Sequence, residues 1–446
     1  MKPPPLAAVV MAAGLGTRMR STRPKHVHPL LGRRLLDWVV AAAQPLDAAP
    51  LLVVCSPGAT AELEGTLPAG VELAVQECPL GTGDAVAAAR PALDGFSGDL
   101  LVLAGDTPLL RTELLRQLID EHRGQRASVT VLSFEPPEPG AYGRIVRDAG
   151  GHLAAIVEAA DATLEELAIR EVNSSVLVFT VPTLWEAIER LDRNNAKSEL
   201  LLTDVVRHLV ADERIAAVHQ ASDPMDLEGV NTKAELAQAA AVLRDRIALR
   251  HMLDGVTIVD PATTWIEADV EIEADAVVHP FTVLRGQTRV GAEAEVGPHV
   301  VAVDAEIGSK ALVGPFCYLR PGARIGAEAR AGAFVEVKNS TLGAGAKVPH
   351  LSYIGDAEIG EGTNIAAGAI TANYRPELGA GKQRTVIGRN VHTGSHNVFV
   401  APVEIGDGAW IGAGSTITED VPPDALAIAR ARQVNKEGYG GGKRRE

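Results

Sequence analysis

The sequence predicts an α/β chain in two unlike halves: a Rossmann-like, mostly parallel sheet covered by helices, then a parallel β-helix of six-residue repeats. Three observations carry this. Strand-like apolar runs alternate with helix-like segments up to residue 231. An Ala- and Leu-rich segment spans Thr232 to about Leu253. From about Gly255 onward, aliphatic or small residues recur every six positions.

The first half is read from its apolar runs. Ala7 to Ala12 ends in a Gly-rich turn, Leu51 to Val54 follows, and Leu100 to Leu103 ends at Gly105-Asp106. Ser128 to Phe134 and Val176 to Thr180 complete the set. Periodic segments such as Leu35 to Ala43 and Thr112 to Glu121 lie between them. Alternating β and α elements imply a mostly parallel sheet with helices on both faces. Ligands of such sheets sit beyond the C-terminal strand ends. That rule directs attention to Gly14–Arg18 and to Gly105-Asp106.

The middle segment predicts a linker helix over 232–254, with Leu236, Leu243 and Ile247 on one face. The second half, 255–446, has a period that fits neither helix nor simple strand. One run is Ile272, Val278, Leu284, Val290, Val296 and Ala302. After a slip of one residue comes Ile307, Val313, Leu319, Ile325, Ala331 and Val337. A third is Ile387, Thr393, Phe399, Ile405, Ile411 and Ile417. A sixfold repeat is the mark of a β-helix whose stacked coils bury a ladder of aliphatics, with small residues expected at the corners. The repeat lapses between Thr371 and Val386, where a polar, Gly-rich stretch predicts an inserted loop that is either functional or a tolerated surface insertion.

Composition narrows the function class. The net charge of -15 argues against nucleic acid as the main partner, since phosphate-backbone binding needs a cationic footprint. A local basic pocket for phosphorylated small molecules remains compatible with it. Three scattered cysteines, Cys55, Cys78 and Cys317, make neither a disulfide framework nor a zinc site. The start, M-K-P-P-P, lacks the apolar core of a signal peptide, and no apolar run reaches the length of a membrane span. A cytoplasmic location is expected.

Ala13-Gly14-Leu15-Gly16-Thr17-Arg18 follows a strand and is expected to open a helix, with glycines letting backbone N–H groups approach phosphates. Met19 stands where a dinucleotide fingerprint needs its third Gly, and no G-K-[ST] follows, so neither that fingerprint nor a P-loop is present. Alone, this turn says little, because Gly-rich strand–helix turns are common. Its company is informative: Pro24-Lys25, Gln76 before L-G-T-G (Leu80 to Gly83), and the carboxylate of Asp106 in L-A-G-D-T-P-L. A-Y-G-R-I (Ala141 to Ile145), I-V-E ending at Glu158, E-V-N ending at Asn173 and E-G-V-N ending at Asn231 follow in order. A lone Asp at a strand end is more often a turn or helix cap.

In this combination the chain resembles the sugar-nucleotide pyrophosphorylases. With a β-helix behind them, it resembles the bifunctional bacterial uridyltransferase/acetyltransferase that makes UDP-N-acetylglucosamine. The resemblance implies a nucleotidyltransferase domain over 1–231 and a left-handed β-helix acetyltransferase domain over 255–446. It implies Mg²⁺ held by Asp106 and Asn231, with UTP and acetyl-CoA as co-substrates. Arg18 and Lys25 would offset triphosphate charge, beside Ala13 and Gly14. Gln76, Gly81 and Thr82 would read the uracil, and Gly143, Glu158 and Asn173, with Asn231, would hold N-acetylglucosamine 1-phosphate. Two positions depart from the family pattern: Leu15, where a basic residue is frequent, and Ser174-Ser175, where a Gly is usual.

In the second half, V-P-H-L-S-Y-I-G-D-A-E-I-G (Val348 to Gly360) resembles the acetyltransferase motif, with His350 as base and Tyr353 close by. An isolated His would more often be a packed or solvated corner residue. By the same resemblance Arg320 and Lys338 would hold the phosphate of glucosamine 1-phosphate, and Asn364 and Asn373-Tyr374 would position the sugar. Ser395 would assist at the amine or oxyanion. Ala367, Ala413 and Arg430 fall at acetyl-CoA positions, and Lys382 is a further candidate. The family implies a homotrimer. The tail from Lys436 to Glu446 is Gly-rich and basic, and disorder is expected for it. Two other readings stand beside this one: a monofunctional nucleotidyltransferase with a regulatory or trimerising β-helix, and a non-catalytic scaffold. Retention of Arg18, Lys25, Asp106 and Asn231 opposes the scaffold.

Overall fold

The computed structural model describes residues 3–14, 16–437 and 439. Leu15 and the tail residues Gly438 and 440–446 lie outside the described residues. The chain divides into two compact units, 1–243 and 244–446. The helix Lys233–Leu253 runs through the division.

The first unit is built on a nine-stranded sheet. Its main path runs Ala216–Gln220, Val129–Phe134, Val172–Thr180, Asp99–Ala104, Leu6–Ala12, Leu51–Cys55 and Val71–Val75. All neighbours are parallel except Val172–Thr180, which is antiparallel to both strands beside it. The central strands read as continuous apolar runs because both faces are covered. Residues of alternate parity pack into two cores: Val10, Val53 and Leu103 on one face, Val9, Leu52 and Val102 on the other. The strands Leu6–Ala12 and Asp99–Ala104 lie side by side, so the loops that follow them emerge together.

The expected helix after Gly14 does not form. Only a 3₁₀ turn, Thr17–Met19, is present, flanked by Gly16 (φ 61°) and Arg20 (φ 47°), both left-handed. Two reversals of hand around one turn cannot be continued as an α-helix. The loop instead extends to a second turn at Lys25–Val27.

The second unit is a three-faced parallel β-helix. Successive coils pair in register, for example Ile272 with Val290, Val290 with Ile307, and Ile307 with Ile325. Every residue of the three sixfold runs is buried. The expected small corners hold only in part. One corner is a column of exposed aromatics, Phe281, His299, Phe316 and Phe334, stacked nearly coplanar with ring centroids 4.8, 4.7 and 5.0 Å apart. All four adopt left-handed backbone, φ 56–61°. Their stacking offsets part of the cost of that conformation. Another corner follows the small-residue rule: a Cβ on Gly308 would come within 2.7 Å of the backbone of the next coil. The lapse in the repeat is an inserted loop between Ile370–Ala372 and Thr385–Ile387, after which the ladder resumes with Ile359 paired to Ile387. No helix among the described residues is long and apolar enough to cross a membrane.

Candidate active sites

The first site stands where Leu6–Ala12 and Asp99–Ala104 end. Gly105 donates its N–H to the Met11 carbonyl at 2.9 Å, and a Cβ there would lie 2.7 Å from the same oxygen. Asp106 therefore projects just past the strand. Its carboxylate is paired with the ammonium of Lys25, which is 8% exposed. Lys25 Nζ also donates to Asn231 Oδ1 at 3.0 Å, and Arg18 Nη2 donates to the same oxygen at 2.9 Å. Asn231 is placed by its backbone: Val230 donates to the Asp106 carbonyl at 2.8 Å, and Asn231 N–H donates to Glu235 at 2.6 Å. Four residues spread over more than 200 positions of sequence thus converge on one spot.

Gly16 makes this convergence possible. It is left-handed, and a Cβ would stand 2.5 Å from Lys25 Cβ. His26, which sequence reasoning passed over, lies beneath the cluster. A Cβ on Gly14 would meet its Cε1 at 3.7 Å, and one on Gly105 its Cδ2 at 3.2 Å. Burial, opposed by Asp106 and reinforced by Lys25, lowers its pKa to about 4, so it is a neutral wedge at physiological pH. Burial pushes the Asp106 carboxyl up, but Lys25 and the other groups around it outweigh this, and it sits below the ordinary carboxylate value.

A second cluster lies beyond Val71–Val75. Gln76 Nε2 donates to the Gly81 carbonyl at 3.0 Å and to Asp84 at 2.7 Å, which turns its own carbonyl the other way. Gly81 has φ 127°, and a Cβ would lie 2.4 Å from the Leu200 carbonyl oxygen. Thr82 Oγ1 accepts from Leu202 N–H at 2.9 Å. Asp84 was missed because one carboxylate in a helix's first turn reads as a dipole partner.

The third cluster joins Gly143, Glu158 and Asn173. Asn173 N–H donates to the Gly143 carbonyl at 2.8 Å, and a Cβ on Gly143 would be 3.6 Å from Glu158 Oε1. Thr203 Oγ1 (3.3 Å) and Lys197 Nζ (3.6 Å) hold the Glu158 carboxylate at the edge of a cavity of about 220 Å³. The Ser174-Ser175 departure is accommodated by a bulge: Ser175 takes φ 63°, and its N–H donates to Asn173 Oδ1 at 3.0 Å.

On the β-helix, His350 ends the strand Lys347–His350, and its side chain is exposed. Its carbonyl accepts from Ser352 Oγ at 2.8 Å, which pins the corner. Arg320 pairs with Glu336 at 2.9 Å, one position over from Tyr353, which is in register with Glu336. Lys338 stands 3.5 Å from Asp356. Asn373 Nδ2 reaches Asp356 and, at 3.3 Å, Tyr353 Oη. Lys338, Tyr353 and Asn373 are thus brought together, with Asp356 at their centre. Tyr374 lies 4.1 Å under the Lys382 ammonium, so these two close upon each other within the inserted loop.

The residues expected to meet acetyl-CoA lie apart from these, on later coils. The Ala367 carbonyl accepts from His396 N–H at 2.8 Å, and the Ser395 carbonyl from Gly414 N–H at 2.8 Å. A Cβ on Gly394 would stand 2.3 Å from Ala413 N, and one on Gly414 would be 3.7 Å from Arg430 Cδ. Asn364 bridges Lys347 and His392. Among the described residues, no side-chain hydrogen bond or ion pair links His350 to Arg320 or Lys338.

Comparison with known proteins agrees with this division. Residues 8–208 match the MobA-like NTP transferase domain, and residues 384–419 match the bacterial transferase hexapeptide repeat. The chain is 44% identical to the bifunctional protein GlmU of Thermoanaerobacter pseudethanolicus, over 97% of each chain. It is 45% identical to that of Thermobifida fusca, over 98% of this chain and 94% of the relative. It is 46% identical to that of Streptomyces avermitilis, over 99% and 95%. With both kinds of domain matched in one chain and likeness along nearly its whole length, the chain belongs to the bifunctional GlmU family.

Proposed function

We propose that the chain makes UDP-N-acetylglucosamine in two steps, acetylating glucosamine 1-phosphate and then transferring UMP to the product. The observation that carries this reading is one chain holding both clusters: Arg18, Lys25, Asp106 and Asn231 at the sheet end, and Lys338, Tyr353 and Asn373 beside the His350 coil. The domains are assigned as 1–231 for UMP transfer, 232–254 as linker helix and 255–446 for acetyl transfer.

In the first step the amine attacks the acetyl-CoA thioester carbon, the C–S bond breaks, and CoA leaves as thiol. His350, exposed at its corner, accepts the amine proton. Arg320 and Lys338 bind the phosphate, Asn364, Asn373 and Tyr353 the sugar, and Ser395 supports the oxyanion. Ala367, Ala413 and Arg430 line the acetyl-CoA course, and Tyr374, beside Asn373, stays with the sugar.

In the second step a phosphate oxygen of N-acetylglucosamine 1-phosphate attacks the α-phosphorus of UTP and pyrophosphate leaves. Positioning and charge stabilisation do most of this work. Arg18 and Lys25 hold triphosphate oxygens, Gln76, Gly81 and Thr82 the uracil, and Gly143, Glu158 and Asn173 the sugar. Asp106 and Asn231 present two hard oxygens to the Lys25 ammonium, the Asn231 oxygen also accepting from Arg18, and this donor set suits Mg²⁺. When bound there, Mg²⁺ supplies charge neutralisation for the phosphates.

The assembly is a homotrimer. One β-helix face alternates Glu271, Arg289, Glu306 and Arg324, paired at 3.1 and 3.4 Å, as a solvated surface would. The aromatic corner instead leaves Phe281, Phe316 and Phe334 exposed in the single chain, which suits burial against further copies. Both co-substrates are cytoplasmic metabolites, and we place the enzyme there.

The test is acetyl-CoA-dependent thiol release with glucosamine 1-phosphate and no UTP, alongside pyrophosphate release from UTP with N-acetylglucosamine 1-phosphate. Turnover in both assays is expected. Pyrophosphate without thiol would leave a uridyltransferase with a structural β-helix.

A further inference from the structure

We infer that Asp356 is a positioning residue for acetyl transfer: its carboxylate sets which end of the Asn373 amide faces the substrate and where the Lys338 ammonium stands. This rests on the acetyltransferase reading and deepens it.

Asp356 follows Tyr353–Gly355 and is 9% exposed. Its carboxylate accepts from Asn339 Nδ2 at 2.7 Å and from Asn373 Nδ2, with Lys338 Nζ at 3.5 Å. Three successive coils therefore close on one side chain. The backbone is committed as well. Asp356 N–H donates to the Lys338 carbonyl at 3.0 Å, and its own carbonyl accepts from Thr385 N–H at 3.3 Å. Asn373 opens the inserted loop and Thr385 closes it, so Asp356 holds both feet of that loop.

The chemistry of a carboxylate decides the orientation. It accepts and does not donate, so both amides must turn their NH₂ groups toward it. The remaining hydrogen of Asn373 Nδ2 is directed to Tyr353 Oη at 3.3 Å. The amino end of Asn373 is thereby spent, and Oδ1 is the end left for a ligand. An acceptor there suits the N–H or O–H groups of an amino sugar. Lys338, held by the same carboxylate, keeps its ammonium for the phosphate of that sugar. Recognition of both ends of one substrate is thus tied to a single side chain.

The backbone is shaped around this arrangement. Asp356 (φ 49°) and Asn339 (φ 44°) are both left-handed, a conformation that persists where the surroundings impose it. A Cβ on Gly355 would stand 2.3 Å from Tyr353 Oη and 2.7 Å from Asn373 Nδ2, so the close approach needs glycine.

The experiment is steady-state kinetics of Asp356→Asn, Asn373→Ala and the double variant. Asp356→Asn keeps the shape but brings a donor end, so the two amides can no longer both face it. The KM for glucosamine 1-phosphate should rise about tenfold or more, while the KM for acetyl-CoA stays within about twofold. In the Asn373→Ala background, the further loss from Asp356→Asn should be smaller than in the parent, because the group it orients is gone. Equal rises in both KM values, or independent multiplicative losses in the double variant, would overturn the inference. If Asp356→Asn does not fold, Asp356→Glu decides in its place, because it keeps the acceptor and displaces it: an unchanged KM for the sugar phosphate overturns the inference, and a rise confined to that KM supports it. Acetyl transfer by the parent protein is the control that separates failure of this inference from failure of the acetyltransferase reading.

Discussion

Single side chains carry the chemistry through their neighbours. His350 is exposed at the end of its strand, and the role proposed for it is confined to the β-helix. His350→Ala should lower acetyl transfer about 10²–10⁴-fold, the usual worth of a positioned base, with pyrophosphate release from UTP unchanged. Equal loss of both activities would make the residue structural. A different histidine contributes to the pH dependence of stability. His122 is buried, with Nδ1 3.0 Å from Thr130 Oγ1 and Nε2 3.7 Å from Asp99. Burial, opposed by Asp99 and reinforced by Arg123, lowers its pKa from the ordinary 6.5. The unfolded chain therefore takes up a proton below about pH 6.5 that the folded chain refuses. Its contribution is complete above that pH and declines as the pH falls further, by at most about 1.4 kcal/mol per pH unit. Denaturant melts at pH 7.5 and 5.0 should show a smaller drop for His122→Gln than for the parent.

Elements decide whether such side chains meet. The loop after Leu6–Ala12 is not a helix, and Gly16 is its hinge point, left-handed and in contact with Lys25. Gly16→Ala must pay the left-handed penalty of about 1 kcal/mol and also push Lys25 away. UMP transfer should fall at least about tenfold, because a shift of roughly 1 Å in a positioning group costs that much or more. Acetyl transfer should be unaffected. Wild-type UMP transfer in this variant would show that Lys25 is not held through Gly16. The inserted loop is the corresponding element of the β-helix, rooted at Asn373 and Thr385 and stiffened by the Tyr374–Lys382 contact.

At the scale of the molecule, the β-helix carries the case for assembly. Its charged face is self-paired along the coils, whereas the aromatic corner stacks only upon itself and remains open to solvent in the single chain. Phe316→Glu puts a carboxylate in the middle of that column. Light scattering should then give a mass near that of the 46.7 kDa chain instead of the threefold mass of the proposed trimer. If the proposed trimer completes the acetyl-transfer site, that activity should fall with it while UMP transfer persists. A variant that remains trimeric would show that this corner is not in the interface.

Periodicity belongs to local sequence, so the sixfold ladder, the parallel sheet and the long helix were all legible before any coordinates. A buried face demands apolar residues at its own spacing whatever the neighbours do. The motifs likewise brought Arg18, Lys25, Asp106 and Asn231 forward as a set. Three things depended on the tertiary structure. The absent helix after Gly14 followed from two left-handed residues that propensity does not register. The aromatic corner followed from stacking between residues a full coil apart, where a sequence pattern suggests only exposed hydrophobics. Asp356, Asp84 and His26 drew their roles from partners on other strands and coils. A polar residue's role is set by which donors and acceptors face it, and that is a property of the fold rather than of the residue.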